Sequence, residues 1–140
     1  MLRLVLDTTV WVAGLRSATG ASNAILRAVR HGRAKALVSV AMFLEYEAVL
    51  KRPEQRIEHG FSLSEIDEFL DAFARFAEPV ERHLSWRPQL SDPGDETILE
   101  AAVNGRADAI VTYNLKHFAP AVRFGVRVAR PGDILRKIER

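Results

Sequence analysis

Four of the 18 acidic residues in this chain occupy positions that favour chemistry. Asp7 directly follows an apolar run, Asp92 and Asp95 begin a predicted helix, and Glu45 lies on a largely apolar helix where Glu is seldom buried without a partner. If Asp7, Glu45 and Asp95 converge, each close pair of carboxylates repels by about 4 kcal/mol at roughly 4 Å and an effective dielectric of about 20. Such a cluster requires a proton, a basic partner or a divalent cation.

The residue types favour a divalent cation of the hard class. No Lys or Arg adjoins Asp7 or Asp95 in the sequence, and the chain contains no Cys and no closely paired His. Oxygen ligands alone favour Mg²⁺ or Mn²⁺ over Zn²⁺. A cation of this class suits phosphodiester hydrolysis, because it activates water, orients the phosphate and offsets charge on the leaving oxygen.

Each acid also has a purely structural interpretation, which the sequence leaves open. Asp7 would cap the turn that follows it, and Asp92 is a favourable residue for a helix start. Asp95 in the first turn would interact favourably with the helix dipole by about 0.3–1 kcal/mol. Glu45 would lie at a solvated helix edge.

A predicted helix and strand frame the later acids. Residues 91–118 read SDPGDETILEAAVNGRADAIVTYNLKHF, in which Asp92 caps a helix, proline fits its first position and Asn-Gly ends it. Residues 109–111 are typical of an interior strand, and Thr112 and Asn114 follow at its carboxyl end. Alternatively, Thr112 and Asn114 would simply form a turn.

The remaining pattern alternates strands with helices. Strands are predicted at 2–6, 36–38 and 126–129, with an edge strand near Val80, and helices at 21–31, 39–50, 62–78 and 132–140, after a short helix that follows Asp7. Strands separated by helices of this length predict a three-layer α/β/α sandwich with a central parallel sheet. Ligands of such sheets bind beyond the carboxyl ends of the strands.

Composition indicates one domain spanning residues 1–140. The chain is 48% hydrophobic, enough for a real core, and its net charge of +2 permits an anionic partner without requiring one. Zero cysteines agree with a reducing compartment. No stretch of the sequence is typical of a signal peptide or a membrane span, so we expect a cytoplasmic protein without membrane contact.

Four segments of the sequence resemble the PIN-domain ribonucleases, and within them the VapC-like toxins of toxin-antitoxin pairs. They are LVLDTTVWVAG at 4–14, EYEAVLKRP at 45–53, DPGDETILEAAVNGRADAIVTYNLKHF at 92–118 and VRVARPGDIL at 126–135. The resemblance implies a PIN fold and a Mg²⁺- or Mn²⁺-dependent endoribonuclease acting on RNA. It also implies a cognate antitoxin and a homodimer.

The resemblance assigns roles by position. Asp7, Glu45 and Asp95 match the family's metal-binding acidic triad, and Asp92 matches an additional acid. Thr112 and Asn114 match the polar strand end that holds water or phosphate. Two positions depart from the common pattern: Thr9 stands where many members have Asn, and Asn114 stands where many have a fourth acid. These departures imply chemistry that is weakened or uses a single metal ion.

Substrate contacts are less clearly marked in the sequence. Basic residues predicted to border the carboxyl edge of the sheet would contact RNA phosphates, together with Thr9, or would form an ordinary solvated surface; they are Arg16, Lys51, Arg52 and Arg56. Trp86 and Tyr113 are candidates for stacking on a base. His117 is interpreted as a packing or surface residue.

Two other classes of function compete with the nuclease hypothesis. One is a non-catalytic RNA- or partner-binding module on the same fold, which Thr9 and Asn114 favour. The other is a phosphoryl-transfer domain of the receiver or haloacid-dehalogenase type, which also uses an Asp after the first strand. The latter type is disfavoured because Asp7 is followed by two threonines rather than by the expected D-x-D motif.

Overall fold

The computed structural model describes residues 1–81 and 89–139. Trp86, a candidate base-stacking residue, and Arg140, the predicted end of the last helix, lie outside this part. The described chain contains five parallel strands in the order β3-β2-β1-β4-β5. They are β1 (Arg3–Leu6), β2 (Lys35–Val38), β3 (Glu78–Pro79), β4 (Ala109–Val111) and β5 (Arg127–Ala129).

The order of the strands places a switch in direction between β1 and β4. From β1 the chain proceeds to β2 and β3 on one side, and then crosses to β4 and β5 on the other. At such a switch the loops that leave neighbouring strands run in opposite directions and open a crevice at the carboxyl edge of the sheet. Asp7 and Thr112 are the residues that directly follow β1 and β4.

Seven helices and one 3₁₀ segment surround the sheet in the described residues and complete the predicted three-layer α/β/α sandwich. The helices are α1 (Thr8–Arg16), α2 (Ala21–Arg30), α3 (Val40–Leu50), α4 (Pro53–His59), α5 (Leu63–Phe76), α6 (Pro93–Asn104) and α7 (Pro131–Ile138). The 3₁₀ segment is Leu115–Phe124. None of the helices in the described part of the chain is both long and apolar enough to cross a membrane.

The two central strands are covered on both faces, as their continuous apolar sequence predicts. Leu4, Val5 and Leu6 of β1 and all three residues of β4 are buried. On one side of β1, α1, α3 and α5 bring together the rings of Trp11, Tyr46 and Phe73, with centroids 5.1–6.1 Å apart. This aromatic contact fixes α1, the helix that begins immediately after Asp7.

Most predicted elements are confirmed within a residue or two, and the edge strand predicted near Val80 is β3, at Glu78–Pro79. Ser62 and Glu65 form the capping box that begins α5. Two elements were not predicted. Helix α4 has only seven residues, none of them buried, so it has no apolar stripe to recognise. The 3₁₀ segment contains Pro120 and a non-helical Phe118, which remove helical periodicity.

Candidate active site

Pairing of the central strands brings Asp7 and Thr112 together at the carboxyl edge of the sheet. Leu6 lies opposite Val111 in the parallel pair, and the Asp7 backbone N–H donates to the Val111 carbonyl at 2.9 Å. The Thr112 hydroxyl then donates to Asp7 Oδ2 at 2.7 Å. Both residues are buried, with exposed fractions of 6% for Asp7 and 0% for Thr112. These two strand ends therefore form the floor of the site.

Three donors fix the Asp7 carboxylate. Oδ1 accepts from the Thr8 backbone N–H at 2.8 Å, which caps α1, while Oδ2 accepts from the hydroxyls of Thr9 at 2.8 Å and Thr112 at 2.7 Å. A carboxylate offers about four lone-pair sites, so three donors leave roughly one for a cation. The structural interpretation of Asp7 as a helix cap is correct, and it is compatible with a chemical role.

Tyr46 supports the same strand end from α3. Its hydroxyl donates to the carbonyl of Leu6, the residue that precedes Asp7. Burial, and then the negative charge of Asp7, raise the pKa of Tyr46 well above its ordinary value. The phenol therefore stays protonated and serves as a permanent donor at the base of the site.

The start of α6 places Asp95 within electrostatic range of Asp7. Asp92 Oδ1 caps the helix by accepting from the Asp95 backbone N–H at 2.9 Å, and the Asp95 side chain is 18% exposed. The pKa of Asp95 is raised, first by burial and then by the negative charges of Asp92 and Asp7, whereas His117 opposes the shift. Asp95 and Asp7 are thus close enough for their charges to interact, although one follows β1 and the other begins α6.

Glu45 lies beside the first turn of α6. A methyl group on Gly94 would lie 3.0 Å from Asp92 Oδ1 and 3.7 Å from Glu45 Oε1, so the absence of a side chain at Gly94 lets these carboxylates approach the helix start. Glu45 itself is exposed. Within residues 1–81 and 89–139, no three His, Cys, Asp or Glu side chains are grouped closely enough to hold a metal ion. The structure therefore places Glu45 and Asp92 near Gly94 and leaves Asp7 within electrostatic range of Asp95, without joining the four acids in one group.

Asn114 and His117 complete the rim of the site. The Asn114 backbone N–H donates to the Thr112 hydroxyl at 2.9 Å, which helps to orient that hydroxyl toward Asp7, and the Asn114 side chain is exposed. His117 Nδ1 lies 3.2 Å from Asp95 Oδ2. The interpretation of His117 as a packing or surface residue missed this contact, because it depends on the irregular 3₁₀ segment. The signal available in the sequence was a His five residues beyond Thr112.

The predicted substrate residues differ in their surroundings. Thr9 and Arg16 line a groove of about 520 Å³ that runs along α1, and Arg16 donates to Gln55 Oε1 at 3.1 Å. Lys51 is instead held by two carboxylates, Asp67 at 2.6 Å and Glu47 at 3.2 Å. Arg52 and Arg56 are exposed at the start and in the middle of α4. Through Thr9, which also donates to Asp7, this groove joins the hydrogen-bond network of Asp7 to a basic residue.

The donor set fits a hard divalent cation. Asp7 and Asp95 are close enough for their charges to interact, and the carboxylates of Asp92 and Glu45 lie beside Gly94 in the first turn of α6. Oxygen donors of this kind bind Mg²⁺ or Mn²⁺ with several water molecules retained. A cation between Asp7 and Asp95 would also remove the repulsion that raises the Asp95 pKa.

Comparison with known proteins agrees with this fold. The PIN domain family matches residues 3–116 of the 140-residue chain, a span that includes both central strands and all four acids. PIN domains are generally nucleases, and they typically bind divalent metals. No curated protein matches the sequence. On the strength of the family match, which covers most of its length, this chain belongs to the PIN-domain family.

Proposed function

We propose that the chain is a metal-dependent endoribonuclease that hydrolyses RNA phosphodiester bonds with Mg²⁺ or Mn²⁺. One observation carries the proposal: the Asp7 carboxylate is buried at the carboxyl edge of the sheet, where the hydroxyls of Thr9 and Thr112 orient its Oδ2. The charge of Asp7 also contributes, after burial and Asp92, to the raised pKa of Asp95. Acids that repel each other at the switch point of a parallel sheet are typical of a metal site, since a cation compensates their repulsion.

In this proposal each residue has a defined task. Asp7 and Asp95 would hold the cation, and Glu45 would have to move toward them to act as a third ligand. Thr9 and Thr112 keep Asp7 in one orientation through hydrogen bonds of 2.7–2.8 Å. A cation of this class, when bound, would activate water and compensate negative charge on the phosphate. Asp92 and the exposed Asn114 side chain border the crevice, where they would hold water or phosphate.

Support for RNA as the substrate comes from the resemblance of the four sequence segments and from the groove along α1. Thr9 belongs both to the Asp7 hydrogen-bond network and to the lining of the groove, which Arg16 also lines. A phosphate in this groove would therefore meet the positive charge of Arg16 while another part of the same strand lies at the acids. Arg52 would extend the contact at the start of α4, whereas Lys51 would first have to exchange its partners Glu47 and Asp67.

We also propose that the protein is the toxin of a toxin-antitoxin pair and, on the sequence resemblance alone, that it forms a homodimer. The feature that supports an antitoxin is an apolar groove of about 240 Å³ between α1, α2 and α5. Arg27 and Arg30 lie among its lining residues, so an apolar antitoxin segment that carries acidic residues would suit it. Its apolar lining includes Trp11, Leu26, Phe61, Phe69, Phe73 and Phe76.

A cleavage assay with and without metal tests this function. Purified protein should cleave single-stranded RNA at internal positions in Mn²⁺ or Mg²⁺, and EDTA should abolish cleavage, because the reaction requires the cation. Expression in a bacterial host should arrest growth, and co-expression of the antitoxin should restore it. RNA binding without cleavage in any divalent metal would instead identify a non-catalytic binding module, the alternative that Thr9 and Asn114 favour.

Glu45→Gln tests the third ligand. Because Glu45 is exposed and lies at the edge of the crevice, we expect the variant to fold normally and to require roughly 10-fold more Mn²⁺ for half-maximal cleavage. Glu47→Gln is the matched control, since Glu47 lies on the same helix but pairs with Lys51. An unchanged metal requirement in Glu45→Gln would remove Glu45 from the ligand set.

A further inference from the structure

We propose that Tyr113 is a fixed stacking platform for one unpaired base of the RNA, so that the substrate must be single-stranded beside the acids. This inference rests on the proposed ribonuclease function and deepens it. Tyr113 lies between Thr112, which donates to Asp7, and Asn114, which begins the rim of the site. Consecutive Cα atoms are about 3.8 Å apart, so the ring is attached one residue from the floor of the site.

The Tyr113 residue is held in two places. Its hydroxyl lies 2.7 Å from the Ser22 hydroxyl on α2, and its backbone N–H donates to Thr9 Oγ1 at 3.4 Å. Ser22 is 2% exposed and is therefore a rigid anchor. Thr9 in turn donates to Asp7. The position of the ring relative to the Asp7 carboxylate is thus set by hydrogen bonds from both sides.

The ring nevertheless remains available to a ligand. Tyr113 is 43% exposed, about as much as Phe76 and Phe124, whereas Tyr46, Trp11 and Phe118 are almost completely buried. If Tyr113 served only to link the strand end to α2, a buried ring would stabilise the fold more than an exposed one, because buried apolar area is the main source of stability. The combination of a fixed hydroxyl and an exposed ring is typical of a recognition residue.

Base stacking is the interaction that such a ring offers to RNA. Unpaired bases stack on aromatic side chains with little dependence on sequence, because every base has a π face. A ring that is already immobilised loses little conformational entropy when the base binds. Bases inside a duplex are stacked on each other and cannot reach the ring. Tyr113 therefore selects single-stranded RNA with one base turned toward α2.

The test measures RNA binding in EDTA, where metal-dependent cleavage is off. Fluorescence anisotropy with a labelled single-stranded RNA should show a Kd about 5- to 100-fold higher for Tyr113→Ala than for the wild type. Tyr113→Phe and Ser22→Ala keep the aromatic ring but remove the hydrogen bond between Tyr113 and Ser22. Their Kd values should remain within about 3-fold of that of the wild type. Phe124→Ala removes a ring that is 39% exposed at the other end of the 3₁₀ segment, and it should bind like the wild type.

A series of RNA oligonucleotides, each lacking the base at a different single position, locates the contact. For one oligonucleotide of the series, the Kd of the wild type should rise to the Kd that Tyr113→Ala shows for the intact strand. The wild type and Tyr113→Ala should bind that oligonucleotide with equal affinity. A duplex of the same sequence should bind both proteins equally. The inference is overturned if Tyr113→Ala binds the intact strand like the wild type, if Tyr113→Phe loses as much as Tyr113→Ala, or if no abasic position has this effect.

Failure of this inference is separable from failure of the proposed function. If the wild type cleaves RNA in Mn²⁺ and Tyr113→Ala has the same Kd and KM, the nuclease assignment stands and the stacking role is wrong. If the wild type neither binds nor cleaves RNA, both are wrong. If it binds without cleaving, the anisotropy series still decides the role of Tyr113.

Discussion

Asp7→Asn should reduce RNA cleavage about 1,000-fold or more, because a catalytic metal ion contributes several kcal/mol and each 1.36 kcal/mol is a factor of ten. Asn is nearly isosteric with Asp but removes the negative charge that would hold the cation. The loss should appear in kcat, measured at saturating RNA and Mn²⁺. Asp133→Asn is the matched control, since Asp133 is an exposed acid paired with Arg136 on α7, and its activity should equal that of the wild type.

The fold should survive this change. Asn keeps the Oδ1 acceptor for the Thr8 N–H, and Asn caps helices as well as Asp does. An amide that replaces Oδ2 obliges the hydroxyls of Thr9 and Thr112 to reorient, and the Thr112 hydroxyl already accepts from the Asn114 N–H. We expect a change of about 2 kcal/mol or less in the free energy of unfolding. Full cleavage activity in folded Asp7→Asn protein would contradict the role assigned to this residue.

Asp95→Asn should have the second-largest effect: loss of cleavage together with a higher Tm in EDTA. Asp95 is partly buried and repelled by Asp92 and Asp7, and these effects raise its pKa, so its charged form destabilises the metal-free fold at neutral pH. Asn removes that charge. The contact with His117 at 3.2 Å is weakened by the substitution, which offsets only part of the gain.

The difference in stability between Asp95→Asn and the wild type should depend on pH. Because the pKa of Asp95 is higher in the folded than in the unfolded state, the folded state binds more protons between the two pKa values, and wild-type stability falls as pH rises through that window. The window begins near the ordinary Asp pKa of about 3.9. Urea titrations in EDTA should therefore show equal stability for variant and wild type below this window, and a more stable variant at pH 7.

Metal should reverse the order of stability between these two proteins. A ligand that binds only the folded state stabilises it by mass action, so Mn²⁺ should raise the Tm of the wild type and leave that of Asp95→Asn nearly unchanged. A lower Tm for Asp95→Asn than for the wild type at pH 7 in EDTA would show that the Asp95 charge is not under repulsion.

The sequence identified the floor of the site because parallel strands align their carboxyl ends. Asp7 and Thr112 follow two apolar runs, and those runs are the adjacent strands β1 and β4. Asp95 could be placed at a helix start from the capping signals of Asp92 and the following proline. The predicted positions of these residues in the fold are confirmed, because each position depends on local pattern and on one general rule of sheet topology.

The remaining parts depend on packing between distant elements, which no local pattern specifies. The contact of His117 with Asp95 depends on the path of a proline-containing 3₁₀ segment. The hydrogen bond between Tyr113 and Ser22 joins residues 91 positions apart. The pairing of Lys51 with Asp67 depends on how α5 packs against α3. Sequence spacing predicts which residues begin and end elements, but not which side chains meet across them.

Titration of metal-free protein with Mn²⁺, measured by isothermal calorimetry, tests the central claim that Asp7 and Asp95 share a divalent cation. We expect the wild type to bind Mn²⁺, and both Asp7→Asn and Asp95→Asn to bind it at least about 10-fold more weakly, with Asp133→Asn unchanged. Equal Mn²⁺ affinity in the wild type and in both variants would contradict the account.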